Sequence, residues 1–294
     1  MSNISTLKGV GVAMITPFKS DKSVDIDALK KLSQTLISSN IKYLTILGTT
    51  SEAATLNQDE KHSIIDIIMQ ENNGIKGIVI GVGGNNTHEV SAKAKEVSKI
   101  KGVDAILSVS PYYNKPSQKG IIEHFKQIAD ASEVPIILYN VPGRTSSNME
   151  VQTILQLAEH PNILGVKEAS GNIQQTMELL ANKPKDFLFI SGDDNLVFPQ
   201  VTLGADGVIS VIANAYPNEM ANIVLGAQGL NMDAARKEHY KLLNIINLIF
   251  KEGNPSGIKF VLELLGICHR WLRLPLVEAS KELGSEISKA IKHI

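Results

Sequence analysis

The sequence predicts an α/β protein, a (β/α)8 TIM barrel with a C-terminal helical extension. Three observations carry this expectation. Eight short apolar or β-branched runs recur between Val10 and Val211, and stretches with helical apolar spacing separate them. Beyond Ala215 the strand signals stop and only helical patterns continue. Strands that are apolar on both faces and alternate with helices belong to parallel sheets. Eight such units match a closed barrel better than an open sheet.

The runs are Val10–Ile15, Tyr43–Leu47, Gly77–Val82, Asp104–Val109, Pro135–Tyr139, Ile163–Lys167, Phe187–Ile190 and Gly207–Val211. After the first, Leu29, Leu32, Leu36 and Ile37 fall on one helical face. After the second, Asn57 with Glu60 three residues on forms a capping box, and Gly74 marks where that helix stops. From residue 218 the helical patterns break at Gly229, Gly253–Pro255, Gly266 and Pro275. The division expected is a catalytic barrel over 1–228 and a helical domain over 229–294. Leu264, Leu265, Trp271 and Leu276 in that tail suit packing on the barrel or assembly equally well.

A chain of 294 residues, 43% apolar, can bury a sizeable core. Its 29 Lys+Arg against 30 Asp+Glu leave a net charge of −1, which argues against nucleic acid or an anionic membrane as partner. The lysines from Lys93 to Lys101 read as a solvated helix face. Cys268 is the only cysteine, so internal disulfides and cysteine-rich zinc patterns are excluded. No apolar run reaches the roughly 20 residues of a membrane span. MSNISTLKG lacks a basic segment followed by an apolar core, so a soluble cytoplasmic protein is expected. Seven histidines show no HExxH or paired spacing, and no metal is expected. GVGGNN follows the third strand and lacks the third glycine of a dinucleotide loop. Asp193–Asp194 offers cation ligands, but a helix N-cap after strand seven is the ordinary reading.

Barrel chemistry sits on the loops after the strands. Those positions read TPF (Thr16–Phe18), GTTSE (Gly48–Glu52), GVGGNN (Gly81–Asn86), SPYYNKP (Ser110–Pro116), YNVPGR (Tyr139–Arg144), KEASGN (Lys167–Asn172), SGDD (Ser191–Asp194) and ISVIAN (Ile209–Asn214). Three of the six tyrosines, Tyr112, Tyr113 and Tyr139, lie there. Lys167 is the most informative residue. A lysine ending strand six points into the barrel mouth, where lost hydration favours the neutral, nucleophilic amine. A structural ion pair is the alternative, although Glu168 faces the opposite way along the strand. Tyr139 ends the neighbouring strand, in reach of an imine at Lys167, and can pass protons; an aromatic plug is its plainer role. Thr49 and Thr50 can hold a carboxylate or simply lead into a helix. Arg144, on the stiff Pro142–Gly143 loop, offers a carboxylate fork or a solvated charge.

The motifs GTTSEAATL, PYYNKPSQ, YNVPGRT, GVKEASGN and SGDD together resemble the dihydrodipicolinate synthase family, within the N-acetylneuraminate lyase superfamily of class I aldolases. The resemblance covers the barrel and runs into the tail. It implies that Lys167 forms an imine with pyruvate, and that Tyr139, Thr49 and Tyr113 make a proton relay, Tyr113 reaching across a dimer interface. It further implies that Thr50 binds the pyruvate carboxylate and Arg144 that of aspartate semialdehyde. Gly192 and Ile209 would line the pocket with backbone carbonyls. No cofactor is implied, and the usual assembly is a homotetramer of two tight dimers. Ser51 stands where the family usually has glycine, so strain is expected there if that turn needs a positive φ.

The same resemblance points to an effector pocket for L-lysine at the tight-dimer interface, matched by Asn85, Glu89 and Tyr112. Gln58 and Lys61 stand at the equivalents of two family histidines, and Ala53 replaces a serine seen in inhibited members. Like charges in a partly desolvated cleft repel, so the fixed charge of Lys61 predicts weak or absent feedback. A flexible lysine stem swinging into solvent would change little. Two competing functions remain at this stage: another pyruvate aldolase, such as N-acetylneuraminate lyase or a keto-deoxy sugar acid aldolase, and a non-catalytic keto-acid sensor. Arg144 argues against a sugar substrate, and the full residue set argues against a sensor.

Overall fold

The computed structural model describes residues 4–294. Met1–Asn3, part of the N-terminal stretch read above for a targeting signal, lie outside the described residues. Eight parallel strands close into a barrel in sequence order: β1 (Gly9–Ala13), β2 (Tyr43–Ile46), β3 (Gly77–Gly81), β4 (Ala105–Val109), β5 (Ile136–Asn140), β6 (Ile163–Glu168), β7 (Leu188–Ser191) and β8 (Gly207–Ser210). The pairing of β1 with β8, through Gly9↔Gly207 to Val12↔Ser210, completes the ring. Each strand falls within one of the predicted runs or extends past it by one residue.

The helices fill the outer layer: α1 (Ile26–Ile37), α2 (Gln58–Asn72), α3 (Thr87–Val97), α4 (Gln118–Ala131), the short turn α5 (Pro142–Thr145), α6 (Val151–Leu157), α7 (Ile173–Asn182), α8 (Val197–Thr202) and α9 (Pro217–Leu225). Leu29, Leu32, Leu36 and Ile37 are buried, as their spacing predicts. The Asn57–Glu60 capping box forms with both reciprocal bonds, satisfying two otherwise orphaned donors at the start of α2. The barrel interior is filled by size complementarity. Tyr43 lies beside Gly11 on β1 and Gly77 on β3, where a Cβ on Gly11 would come within 2.1 Å of the ring.

The tail consists of α10 (Met232–Phe250), α11 (Ser256–Leu264) and α12 (Lys281–Ala290), and α10 packs against α9, α11 and α12. The breaks at Gly229, Gly253 and Gly266 are left-handed turns, with φ of 103°, 100° and 67°. One apolar core runs from the barrel into Ile245, Ile249, Val261, Leu262 and Ile287. The tail therefore does not build a separate core. No described helix is long and apolar enough to cross a membrane.

Candidate active site

Lys167 lies on β6 and is 6% exposed. Register places it opposite Tyr139 of β5 and Ile190 of β7. Side chains on paired, in-register residues project to the same face of a sheet, so lysine and tyrosine meet inside the barrel. The Lys167 Nζ sits 4.3 Å from the centroid of the Tyr139 ring. Gly192, just past β7, closes the other side: a Cβ there would lie 3.1 Å from Lys167 Cε and 2.6 Å from the Ala169 Cβ. Only glycine lets the chain pass so near the lysine. Ile209 is 1% exposed on β8.

The next residue along β6 faces outward and builds the support. Glu168 is fully buried and accepts from Asn140 Nδ2 at 2.9 Å, Gln175 Nε2 at 3.1 Å and the Ser170 N–H at 2.8 Å. Asn140 also accepts from the Met149 N–H. Those bonds fix the loops after β5 and β6, hence the bases from which Tyr139 and Lys167 project. Glu168 is no ion-pair partner for Lys167, as strand alternation predicts.

Asp193 and Asp194 differ from the expected helix cap. Asp193 occupies the N-cap position of a short 3-10 turn without a side-chain cap bond. Burial pushes its carboxyl up to about 6; the Lys167 charge opposes that rise, and Asp194 and Glu168 add to it. Asp194 reaches across to the turn after β8, where its Oδ2 accepts from the N–H groups of Val211 and Ile212 at 3.0 and 2.8 Å. It therefore pins the loop beside Ile209 rather than capping its own helix. Spacing alone cannot separate these two uses of an aspartate.

Thr49 and Thr50 open a 3-10 turn after β2. Thr49 is exposed at its edge, whereas Thr50 is 4% exposed and its Oγ1 accepts from Asn254 Nδ2 at 2.9 Å. The strain expected at Ser51 is absent. Ser51 lies within the turn, donates its hydroxyl to the Met14 carbonyl at 2.6 Å, and its own carbonyl accepts from Thr16 Oγ1. The left-handed conformation falls on Glu52 instead, at φ 53° and ψ 35°. The sequence assigns no role to Asn254 or Lys259, and to Glu52 only a place at the end of GTTSE. Lys259 alone carries a signal, a charged residue inside the apolar run Ile258–Leu262, whereas Glu52 and Asn254 stand among small and polar neighbours.

Arg144 is exposed on α5, behind Pro142, and among the described residues its guanidinium pairs with no carboxylate. Tyr113 is not brought to Lys167 within the chain. It is 89% exposed with φ 72°.

The residues of the expected effector pocket gather in two groups. Asn85 Nδ2 donates to the Tyr112 carbonyl at 3.1 Å. Gln58 Oε1 accepts from Lys93 Nζ at 3.2 Å, and burial, then the Lys93 charge, lowers the pKa of half-buried Lys61. Glu89 precedes Lys93 by one turn on α3, which links the groups. Among the described residues, no three His, Cys, Asp or Glu side chains gather as metal ligands.

Comparison with known proteins agrees with this geometry. The model of the Dihydrodipicolinate synthetase family matches residues 6–294. The 4-hydroxy-tetrahydrodipicolinate synthase of Flavobacterium psychrophilum is 50% identical over 290 residues, covering 97% of this chain and 98% of the relative. That of Parabacteroides distasonis is 51% identical over 289 residues, covering 98% and 97%. The chloride-inhibited dihydrodipicolinate synthase of Acinetobacter baumannii, solved in complex with pyruvate, superposes with a TM-score of 0.94 at 37% identity, covering 97% of this chain and 98% of that one. A barrel lysine paired with a strand-end tyrosine and a family match along nearly the whole length lead to one conclusion: the chain belongs to the dihydrodipicolinate synthetase family, lyases of the class I aldolase type.

Proposed function

We propose that the chain condenses pyruvate with L-aspartate 4-semialdehyde through a Schiff base on Lys167, as a 4-hydroxy-tetrahydrodipicolinate synthase of lysine and diaminopimelate biosynthesis. The observation that carries this reading is the buried Lys167 amine against the Tyr139 ring, in register across β5 and β6.

The amine adds to the pyruvate keto carbon, and the carbinolamine loses water to give a protonated imine. That cation withdraws electrons from the methyl group, which releases a proton and becomes an enamine. The enamine carbon attacks the aldehyde, whose oxygen takes up a proton. The amino group of the former semialdehyde then adds to the imine carbon, expels the Lys167 amine and closes the ring. Tyr139, with Thr49 and Tyr113, passes the protons; Tyr113, solvent-exposed in its own chain, serves the site of a second copy. Thr50 holds the pyruvate carboxylate, Arg144 holds that of the semialdehyde, and Gly192 and Ile209 present carbonyls to the pocket. The route asks for no cofactor.

The working form we infer is a cytoplasmic homotetramer, a dimer of tight dimers, with Asn85, Glu89, Tyr112, Gln58 and Lys61 beside the tight interface as a poor lysine site. An unpaired arginine on a stiff loop suits a carboxylate-bearing aldehyde rather than a sugar. Turnover of pyruvate with aspartate semialdehyde, measured against N-acetylneuraminate and keto-deoxy sugar acids, tests the assignment. Cleavage of a sugar acid without synthase turnover would overturn it.

A further inference from the structure

The turn that carries Thr49 and Thr50 is fastened to the helical tail. Glu52, two residues past Thr50, is 3% exposed, and both its carboxylate oxygens are used. Oε1 accepts from Lys259 Nζ at 2.5 Å, and Oε2 accepts from the Arg273 N–H at 3.0 Å. Lys259 is itself fully buried on α11. A second of its N–H groups reaches the Trp271 carbonyl at 2.9 Å, and the ammonium lies 4.2 Å from the centroid of the Phe18 ring. Asn254, just before α11, supplies the bond to Thr50 Oγ1. Because that oxygen accepts from Asn254, the Thr50 hydrogen is left for a bound acceptor.

Packing alone does not call for such an arrangement. Burying a carboxylate and an ammonium carries a large desolvation cost, and apolar side chains of similar volume fill the same space as stably. What the ion pair adds is direction. Glu52 holds a left-handed backbone that a non-glycine residue keeps only where its surroundings fix it. Two oxygens bound from two parts of the tail, Lys259 and the Arg273 backbone, fix that residue's rotation. With it they fix the pitch of the turn immediately before it.

We propose that Lys259 is a positioning residue: its buried ion pair with Glu52 sets the Thr49–Thr50 turn in the orientation that receives the keto acid. This rests on the role given to those threonines above. It also assigns a task to the tail, which holds one wall of the site from outside the barrel.

The test is the double variant Glu52→Gln/Lys259→Met in the full chain, which removes both charges and so strands neither. Two quantities are measured beside the wild type: the pyruvate concentration giving half-maximal borohydride trapping, and the separate KM values for pyruvate and aspartate semialdehyde. The positioning role predicts a rise of about tenfold in both pyruvate quantities, the scale of one lost hydrogen bond, with the semialdehyde KM unchanged. Hydrogen exchange over residues 48–56 should quicken while α4 stays as protected as before. A merely structural role would lower the folded fraction and kcat per chain and leave the pyruvate constants where they were; that result overturns the proposal. Should the double variant fail to fold, the single variant Glu52→Gln, which keeps an acceptor for Lys259 but removes the carboxylate, is judged by the same split. A wild type that neither traps pyruvate nor turns over removes the proposed function and the positioning role together. An active wild type with unmoved variants removes the positioning role alone.

Discussion

Lys167 and Tyr139 face each other across the β5–β6 ladder, the lysine nitrogen 4.3 Å from the centre of the phenol ring. The ring's electron-rich face suits a protonated imine at that atom. The phenol oxygen remains available at the ring's edge. One neighbour can therefore stabilise the cation and exchange protons with it.

Replacing that lysine separates chemistry from folding. Lys167→Ala should abolish borohydride trapping of pyruvate and nearly all turnover. It should leave melting unchanged or raised, because the variant no longer buries a polar amine. Mass spectrometry after trapping and a thermal melt by circular dichroism check the two halves. Retained trapping would move the imine to another lysine.

Arg144→Ala should leave pyruvate trapping as it is and raise the KM for aspartate semialdehyde. A lost charge-assisted clamp costs on the order of 1.5–3 kcal/mol, roughly ten- to a hundredfold in binding. Steady-state kinetics with each substrate varied in turn measures it. An unchanged semialdehyde KM removes Arg144 from that role.

Lys167 and Tyr139 were legible because of where they sit. Barrel strands are apolar, so a lysine closing Ile163–Val166 or a tyrosine closing Pro135–Leu138 stands out, and the architecture says which end of a strand does chemistry. The Glu52–Lys259 pair was not legible. Its members are 207 positions apart, and periodicity reports the face of an element without reporting its distant partner. Ser51 shows the limit of local reasoning: the turn does need a left-handed residue, one position later than expected, and the buried ion pair holds it there. Asp194 shows the same limit, since its two backbone donors come from a different strand's loop.

Asp193 gives the enzyme a pH dependence with a definite sign. Burial first, then Asp194 and Glu168, push its carboxyl up to about 6 from an ordinary value of 3.8, against the Lys167 charge. The folded state thus holds this proton more tightly than the unfolded chain. Its contribution to stability is complete below about pH 4 and is lost as pH rises through about 6. Asp193→Asn cannot ionise, so it should gain on the wild type by a few °C in Tm between pH 4 and pH 7.5, on the order expected for a chain of this size. Parallel melts across that range read the difference directly. A gap that stays flat with pH would show that Asp193 ionises freely.

His124 acts in the opposite direction. Its ring is buried on α4, with Nδ1 2.9 Å from Thr87 Oγ1 and Nε2 without a partner, and burial lowers its pKa to about 4. The folded state keeps it neutral, so its contribution is present above pH 6.5 and is lost as pH falls toward about 4. His124→Gln should therefore lose less stability than the wild type over that interval, measured by urea titration at pH 7 and pH 4.5. Equal losses would show that His124 charges without cost.

The last prediction concerns the proposed lysine site. Lys61 is half-buried on α2, and Lys93 of the facing helix is close enough for its charge to lower the Lys61 pKa. Lys93 is partly neutralised by Glu96 at 2.8 Å, whereas Lys61 has no carboxylate partner among the described residues. A cationic amino acid entering beside Asn85, Glu89 and Tyr112 would meet that uncompensated charge. Glu89, whose Oε1 accepts from Asn86 Nδ2 at 2.9 Å, keeps its own charge, so the ligand would meet one attraction beside this repulsion. L-lysine should therefore bind weakly and inhibit little. Lys61→His, carrying a group neutral at pH 8, should bind it at least about tenfold more tightly, the effect of removing one nearby like charge at roughly 1.4 kcal/mol. Calorimetric titration of both proteins at pH 8, with inhibition assays alongside, measures the difference. Tight, cooperative binding by the wild type would show that Lys61 swings clear of the cleft. An unresponsive Lys61→His would show that some feature other than this charge excludes the ligand.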